Sequence, residues 1–466
     1  MNFIDFEFWP TLLFGLLAIF SIRWAYTRIG RPLPGDFDKY ALGVLSLVLL
    51  AGVNLLTFAI FLSLSVLAYV GMLALANIPV EKRRLFLGFY IPILLLPLIY
   101  YKYRTFLLEQ VIGWEELTLG AIAIPAGISF YTFQMIAVMV DGSRLKSYKP
   151  KAIDFLNFIS FFPQVVAGPI ERKSDLMGQV ENFRFRPGWQ ALDNGASWLA
   201  LGFFYKVCLA DNLSPFIDRD AMQSAWPILW NTFLFGLKIY FDFCGYSLIA
   251  LGLGKCLGVD LTLNFRSPYF SGNIRDFWRR WHVSLSFWFR DYVYIPLGGS
   301  KNSRWAINLM VVFVLSGLWH GAGWGFILWG ALHGMYCVVS HALKDRIQLP
   351  GPLGWLLTIS VVFLAWLPFF ETRWGVLCDK LRILIQMEEY SAEKFVQFAG
   401  SFGVAQLSTM AVGVAFCLAA LGFEAWSARK RDYYGFARSR IAIAILVFAT
   451  IFFGSSQGNS FIYFSF

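Results

Sequence analysis

The sequence predicts an all-α polytopic membrane protein: one domain over residues 1–466, about 11–12 transmembrane helices, and re-entrant and interfacial helices between them. Three observations predict it. The chain is 58% hydrophobic and only 15% charged, whereas a soluble domain carries about 25% charged residues. Apolar runs of about 20 residues, the length that crosses a bilayer, recur from end to end. Aromatic residues make up 18% of the chain, as expected of many helices with interfacial belts of Trp and Tyr.

Taken in order, the runs place spans at 8–22, 41–60, 61–80, 85–101, 117–140, 190–210, 226–252, 305–319, 324–343, 354–371, 402–426 and 440–463. Loop charge supports this division. Arg23, Arg28, Arg31 and Lys39 follow the first run, Lys82, Arg83 and Arg84 the third, and Arg144, Lys146, Lys149 and Lys151 the fifth. Arg429, Lys430, Arg431, Arg438 and Arg440 separate the last two. With the N-terminus outside and each run crossing once, all these loops share one side, the cytoplasmic one by the positive-inside rule. The acidic stretches "LEQVIGWEEL" and "DNLSPFIDRD" then fall outside, as do both termini. So does "ETRWGVLCDKLRILIQMEEYSAEKF", expected as a short outer helix. The opening "MNFIDFEFWP" has no Lys or Arg before its apolar run, so no signal peptide is expected. The net charge of +10 is dispersed over these loops, not gathered on one face, which argues against nucleic acid as a partner.

Two stretches fit no simple span. "IDFLNFISFFPQVVAGPIERK" (153–173) is apolar but broken by Pro163, Gly168 and Pro169, and lies between two basic segments. It is expected to enter and leave on the same side, with its irregular backbone covered by protein. "NFRSPYFSGNIRDFWRRWHVSLSFWFRDYVYIPLGGS" (264–300) alternates Arg and Asp with Phe and Trp. Asn273 is placed to cap a helix running to about Trp281, and the composition suits an interfacial helix. Its Arg275, Arg279, Arg280 and Arg290 either anchor in anionic lipid or bind a phosphorylated cosubstrate. The six cysteines, at 208, 244, 256, 337, 378 and 417, form no CxxC pair. They read as packing thiols, and no metal site is expected.

Only four histidines occur: His282, His320, His333 and His341. An ionisable group within an apolar run is costly, which makes it a functional candidate. His320 stands out within "LSGLWHGAGWGF". Gly317, Gly321 and Gly323 remove side chains around it, which lets a backbone or a ligand approach, and Trp319 and Trp324 offer flat walls. Close helix–helix packing explains such glycines equally well. His282, in "RRWHVSLS", is joined to His320 by enough chain for the two rings to meet; the alternative is a headgroup-level polar residue. His333 lies about 3.6 helical turns beyond His320 and reads as support. His341 lies at a predicted cytoplasmic end.

"FWRRWHVSLSFWFRDYVYIPLGGS", followed by "LSGLWHGAGWGFILWGALHG", resembles the membrane-bound O-acyltransferase (MBOAT) superfamily, and most closely its bacterial alginate and exopolysaccharide O-acetylation branch. "GISFYTFQMIAVMVDG" and "FFPQVVAGPIER" resemble the same branch, so a motif-bearing core spans about 85–345. The shared "SFWFRDYV" is similar to the teichoic-acid D-alanylation relatives. The resemblance implies helices around a central tunnel. It implies His320 as catalytic histidine and His282 as the second polar residue of the site. Trp319, Gly321, Gly323, Trp324 and His333 would then line or support the tunnel, and Arg275, Arg279, Arg280 and Arg290 would meet CoA phosphates. No permanently bound cofactor or metal is implied; acetyl-CoA is the implied acyl donor. The implied setting is the bacterial inner membrane, beside a periplasmic SGNH-type acetyltransferase and a polysaccharide synthase or export complex. Two other readings stay open. One is D-alanyl transfer to teichoic acid; the other is a proton-coupled transporter with an intramembrane His relay.

Overall fold

A computed structural model describes residues 1–114, 123–186, 188–301, 303–343, 349–430, 432–455 and 458–462. The start of the span expected at 117, with Glu115 and Glu116 of the acidic loop, lies outside the described residues, as do Arg431 and parts of the last expected span. Among the described residues the chain is helical, and seven helices are long and apolar enough to cross a membrane. They are α1 (Phe8–Arg28), α3 (Leu55–Asn77), a helix beginning with α4 (Val80–Leu98) and continuing to Tyr103, α8 (Ala225–Cys256), α12 (Trp324–Leu343), α13 (Gly351–Phe370) and α16 (Val404–Ala428). Two shorter apolar helices accompany them, α11 (Trp305–His320) and α17 (Arg440–Phe453).

The differences from the runs read in the sequence have local causes. The run expected at 41–60 is divided: α2 (Phe37–Ala51) stops, Asn54 turns extended, and its side chain accepts from the Thr57 N–H to start α3. Asn favours this capping role over a helix interior. The run at 190–210 begins as α7 (Trp189–Phe203) and continues as a π-helical stretch, Phe204–Ala210. The segment after α13, expected as one short helix, forms two, α14 (Trp374–Ile385) and α15 (Ala392–Gly400).

The chain forms two compact units. The first comprises Met1–Leu199 with Tyr246–Thr262. Its polar groups are matched across long sequence separations. Buried Lys39 pairs with Asp154 at 2.8 Å. Arg83 donates to the carbonyls of Ser143 (3.0 Å) and Lys146 (2.9 Å). α5 (Ile128–Ser143) is buried along most of its length. The broken segment at 153–173 begins as α6 (Ala152–Ser160) and then turns through residues 161–168 with its side chains covered by protein. Gln164 donates to Gln134 (2.9 Å), which donates to the Phe158 carbonyl (2.8 Å), so the irregular backbone is tied internally. Gly127, with φ +76°, borders this turn, and any side chain there would strike the Val166 backbone.

The second unit comprises Ala200–Gly245 with Leu263–Phe466. α8 is its buried spine: 94% of the apolar window of this helix is covered, against 17–50% for the other six. α8 residues up to Gly245 belong to this unit. Around them are α9 (Ile274–Arg280), α10 (Val283–Phe289) and α11 to α17. All four histidines fall in the second unit.

Candidate active site

The predicted cap at Asn273 forms: its side chain accepts from the Asp276 N–H at 2.9 Å and opens α9. α9 ends where expected, at about Trp281, and a second short helix, α10, follows it. They break at Trp281 and His282, and His282 sits at φ +43°. Left-handed backbone is unfavourable for a residue with a Cβ, and such strain clusters at functional sites. A facing strand of backbone holds it. Val283 N–H donates to the Asn264 carbonyl (3.0 Å), Ser284 N–H to Asn264 Oδ1 (3.1 Å), and Arg266 N–H to the Arg280 carbonyl (3.0 Å). The histidine is thereby turned inward and is 1% exposed.

His320 ends α11, and Gly321 is extended, so the chain leaves the helix directly after the ring. It is 2% exposed and does not face lipid. Trp319 (4.9 Å between ring centroids), Trp329 (5.1 Å) and Phe369 (5.3 Å) surround it. The His282 ring lies 6.3 Å away and also meets Phe243 (4.7 Å) and Trp319 (5.7 Å). The two imidazoles foreseen from the sequence therefore share one aromatic enclosure. Burial pushes the His282 imidazole, which lies outside the spanning helices, down to about 3. It is neutral throughout the range where proteins are assayed.

His333, on α12, is fully buried and reaches His320 only through Trp329, whose ring lies 4.8 Å from it. Trp278 closes its other side at 5.0 Å. Neither His333 nitrogen has a hydrogen-bond partner among the described residues. The glycines serve packing. A Cβ on Gly317 would overlap the Phe326 carbonyl, and one on Gly321 the Phe326 ring. Gly323 meets only ordinary contact. Trp324 is a third exposed and its ring lies 6.4 Å from Trp374. His341 stacks near Trp305 at 4.5 Å, away from the pair.

The arginines divide. Arg280 pairs with Asp276 (2.9 Å) and Arg290 with Asp291 (2.6 Å), while Arg279 is exposed. Arg275 lines a separate cavity between α9, α12 and α13. Sequence reasoning missed Asn264, which holds the backbone beside His282, and Phe243, Trp329 and Phe369, which enclose the two rings. An Asn or an aromatic residue carries no local mark of a partner tens of residues away.

This arrangement supplies buried, ring-enclosed imidazoles able to accept and return a proton where charge is poorly solvated. Residues 86–370 match the model of MBOAT, the membrane-bound O-acyltransferase family. The chain belongs to this family. It is 38% identical over 305 residues to a probable alginate O-acetylase of Pseudomonas aeruginosa, covering 62% of this chain and 57% of that protein. It is 35% identical over 313 residues to a peptidoglycan O-acetyltransferase of Helicobacter pylori, covering 59% of each. It is also 31% identical over 285 residues to a teichoic acid D-alanyltransferase of Streptococcus thermophilus, covering 52% of this chain and 67% of that protein. The chain thus spans under three fifths of the length of the two O-acetylating relatives.

Proposed function

We propose that the protein is a membrane O-acetyltransferase, taking acetyl from cytoplasmic acetyl-CoA for O-acetylation of an exported polysaccharide such as alginate or cellulose. The observation that carries this reading is the pair of buried imidazoles, His282 and His320, 6.3 Å apart within the residues that match the family. His320 accepts the proton of an acceptor hydroxyl as that oxygen attacks the thioester carbonyl. A C–O bond forms, the C–S bond breaks, and the proton passes to the departing thiolate. A thiol with a reference pKa of about 8.5 leaves readily, so a positioned base suffices. Neutral His282 donates a hydrogen bond to the carbonyl oxygen as it gains charge. Arg279, Arg280 and Arg290 offer the positive charge for the CoA phosphates.

The acceptor is either the sugar itself or a serine of a periplasmic SGNH-type acetyltransferase, beside the polysaccharide synthase or export complex. The setting is a bacterial inner membrane, with the basic loops cytoplasmic and both ends of the chain periplasmic. The likeness to a D-alanyltransferase favours a second reading, in which the donor is a D-alanyl carrier protein. The donor separates them. In liposomes holding the purified protein, labelled acetyl-CoA is expected to yield acetylated acceptor. Transfer from a D-alanyl-charged carrier protein, with none from acetyl-CoA, would replace the first reading by the second.

A further inference from the structure

The cavity of about 710 Å³ between the start of α9, the second half of α12 and the first half of α13 is not part of the histidine enclosure. Its size falls within the roughly 300–1,000 Å³ of sites for small molecules. Of its polar lining, Asn273 caps α9, Thr358 donates to the Gly354 carbonyl at 2.6 Å, and Tyr336 and Ser340 of α12 are neutral. Arg275 is the charged residue among the described lining. It is half-buried, its Nε has no hydrogen-bond partner, and no carboxylate pairs with it among the described residues. Arg280 and Arg290, on the same stretch, both have carboxylates. An uncompensated guanidinium in a lined cavity is costly unless an anion completes it.

The opposite wall is apolar and open. Met335 and Val339 of α12 are 46% and 48% exposed, and Leu357 of α13 is 54% exposed. Both helices are spanning ones. One cation beside a long greasy wall fits an amphiphile with a single phosphate. It fits CoA poorly, whose several phosphates and adenine call for several cations and a polar wall. We propose that this cavity binds one phospholipid from the bilayer, its phosphate on Arg275 and an acyl chain along Met335, Val339 and Leu357. Basic pockets between membrane helices bind lipid headgroups in this way. The occupant would wedge α12 and α13 at the edge of the second unit, on the far side of Tyr336 from His333, whose rings are 6.0 Å apart.

The test uses the full-length protein purified in detergent, loaded with phosphatidylglycerol and read by native mass spectrometry. It does not depend on acyl transfer, so a failure of the acetyltransferase reading leaves it interpretable. The wild type is expected to retain one phosphatidylglycerol. Arg275→Ala is expected to reduce retention about fivefold, with Arg275→Lys restoring part of it. Leu357→Trp, which fills the cavity and keeps Arg275, is expected to reduce it as well. Equal retention by wild type, Arg275→Ala and Leu357→Trp would overturn the proposal. So would a raised KM for acetyl-CoA in Arg275→Ala with lipid retention unchanged, which would give the cavity to the donor.

Discussion

Two buried polar regions of the second unit are built on opposite plans. Around Lys206, charge is matched by charge: its ammonium contacts Asp211 at 2.8 Å and Asp242 at 2.7 Å, and all three are essentially inaccessible. Asp242 also accepts the Ile462 N–H at 2.8 Å, which ties the segment after α17 to α8. Nearby, Glu424 of α16 takes the hydroxyls of Tyr205 (2.5 Å) and Tyr240 (2.6 Å). In the histidine enclosure the neighbours are rings: Trp319, Trp329, Phe369, Phe243 and Trp278. The first plan suits permanence, because the Lys206 ammonium is held between two carboxylates in place. The second leaves imidazoles in a site of low dielectric, where a passing proton changes the local charge at once. The difference separates polar groups that hold the helices together from the polar groups that the proposed transfer would use.

Substitutions sharpen that contrast, and the largest effect belongs to the ion cluster. Lys206→Met removes the ammonium that contacts both buried carboxylates, leaving Lys238 as the remaining cation near them, and is expected to cost about 3–5 kcal/mol. It should read as loss of folded protein in fluorescence-detected size-exclusion profiles. Normal yield and melting temperature would show that the cluster is dispensable. Glu424→Ala strands two tyrosine hydroxyls, at about 1–3 kcal/mol each, whereas Glu424→Gln retains an acceptor and should lose less. Thermal unfolding in detergent ranks the two. Because Tyr240 packs 6.0 Å from Trp281, beside His282, the alanine variant is also expected to lower transfer activity.

The enclosure should respond differently. His333 makes no hydrogen bond through its ring among the described residues, so His333→Met is expected to change stability by less than about 1.5 kcal/mol in either direction. A large loss would mean that His333 belongs with the structural groups. The smallest effect is one of pH, in the first unit. Burial pushes Glu171 up to about 7, although Thr262 donates to it from its backbone N–H (2.6 Å) and its hydroxyl (3.0 Å). A carboxyl raised in the folded state favours folding fully below its ordinary value. That contribution is lost as pH rises through about 7. The melting temperature should therefore fall from pH 5 towards about pH 8, and Glu171→Gln should flatten the trend. An identical slope in the variant would assign the pH dependence elsewhere.

Much of this was legible in the sequence because it is local or periodic. The run at 324–343 matches α12 to the residue, and Asn273 caps where its type and position require. The meeting of His282 and His320 follows from their polar character in apolar surroundings and from the family likeness. What was not legible depends on distant partners. Nothing near Lys206 in the chain announces Asp242, and nothing near Glu424 announces Tyr205. The left-handed turn at His282 was hidden for the same reason: Asn264, which receives the Val283 and Ser284 N–H groups, opens the same stretch with no local mark of that role. The glycines beside His320 left ligand approach and helix packing both open, because the same pattern serves both ends; Phe326 lies against Gly317 and Gly321.

The central claim is that His320 accepts the acceptor's proton from within the ring enclosure. It is tested by labelled acetyl transfer from acetyl-CoA in membranes carrying wild type or His320→Ala at matched, correctly folded levels. The account predicts a loss of about 10²–10⁴-fold with an unchanged melting profile. Transfer at the wild-type rate in the variant would contradict it.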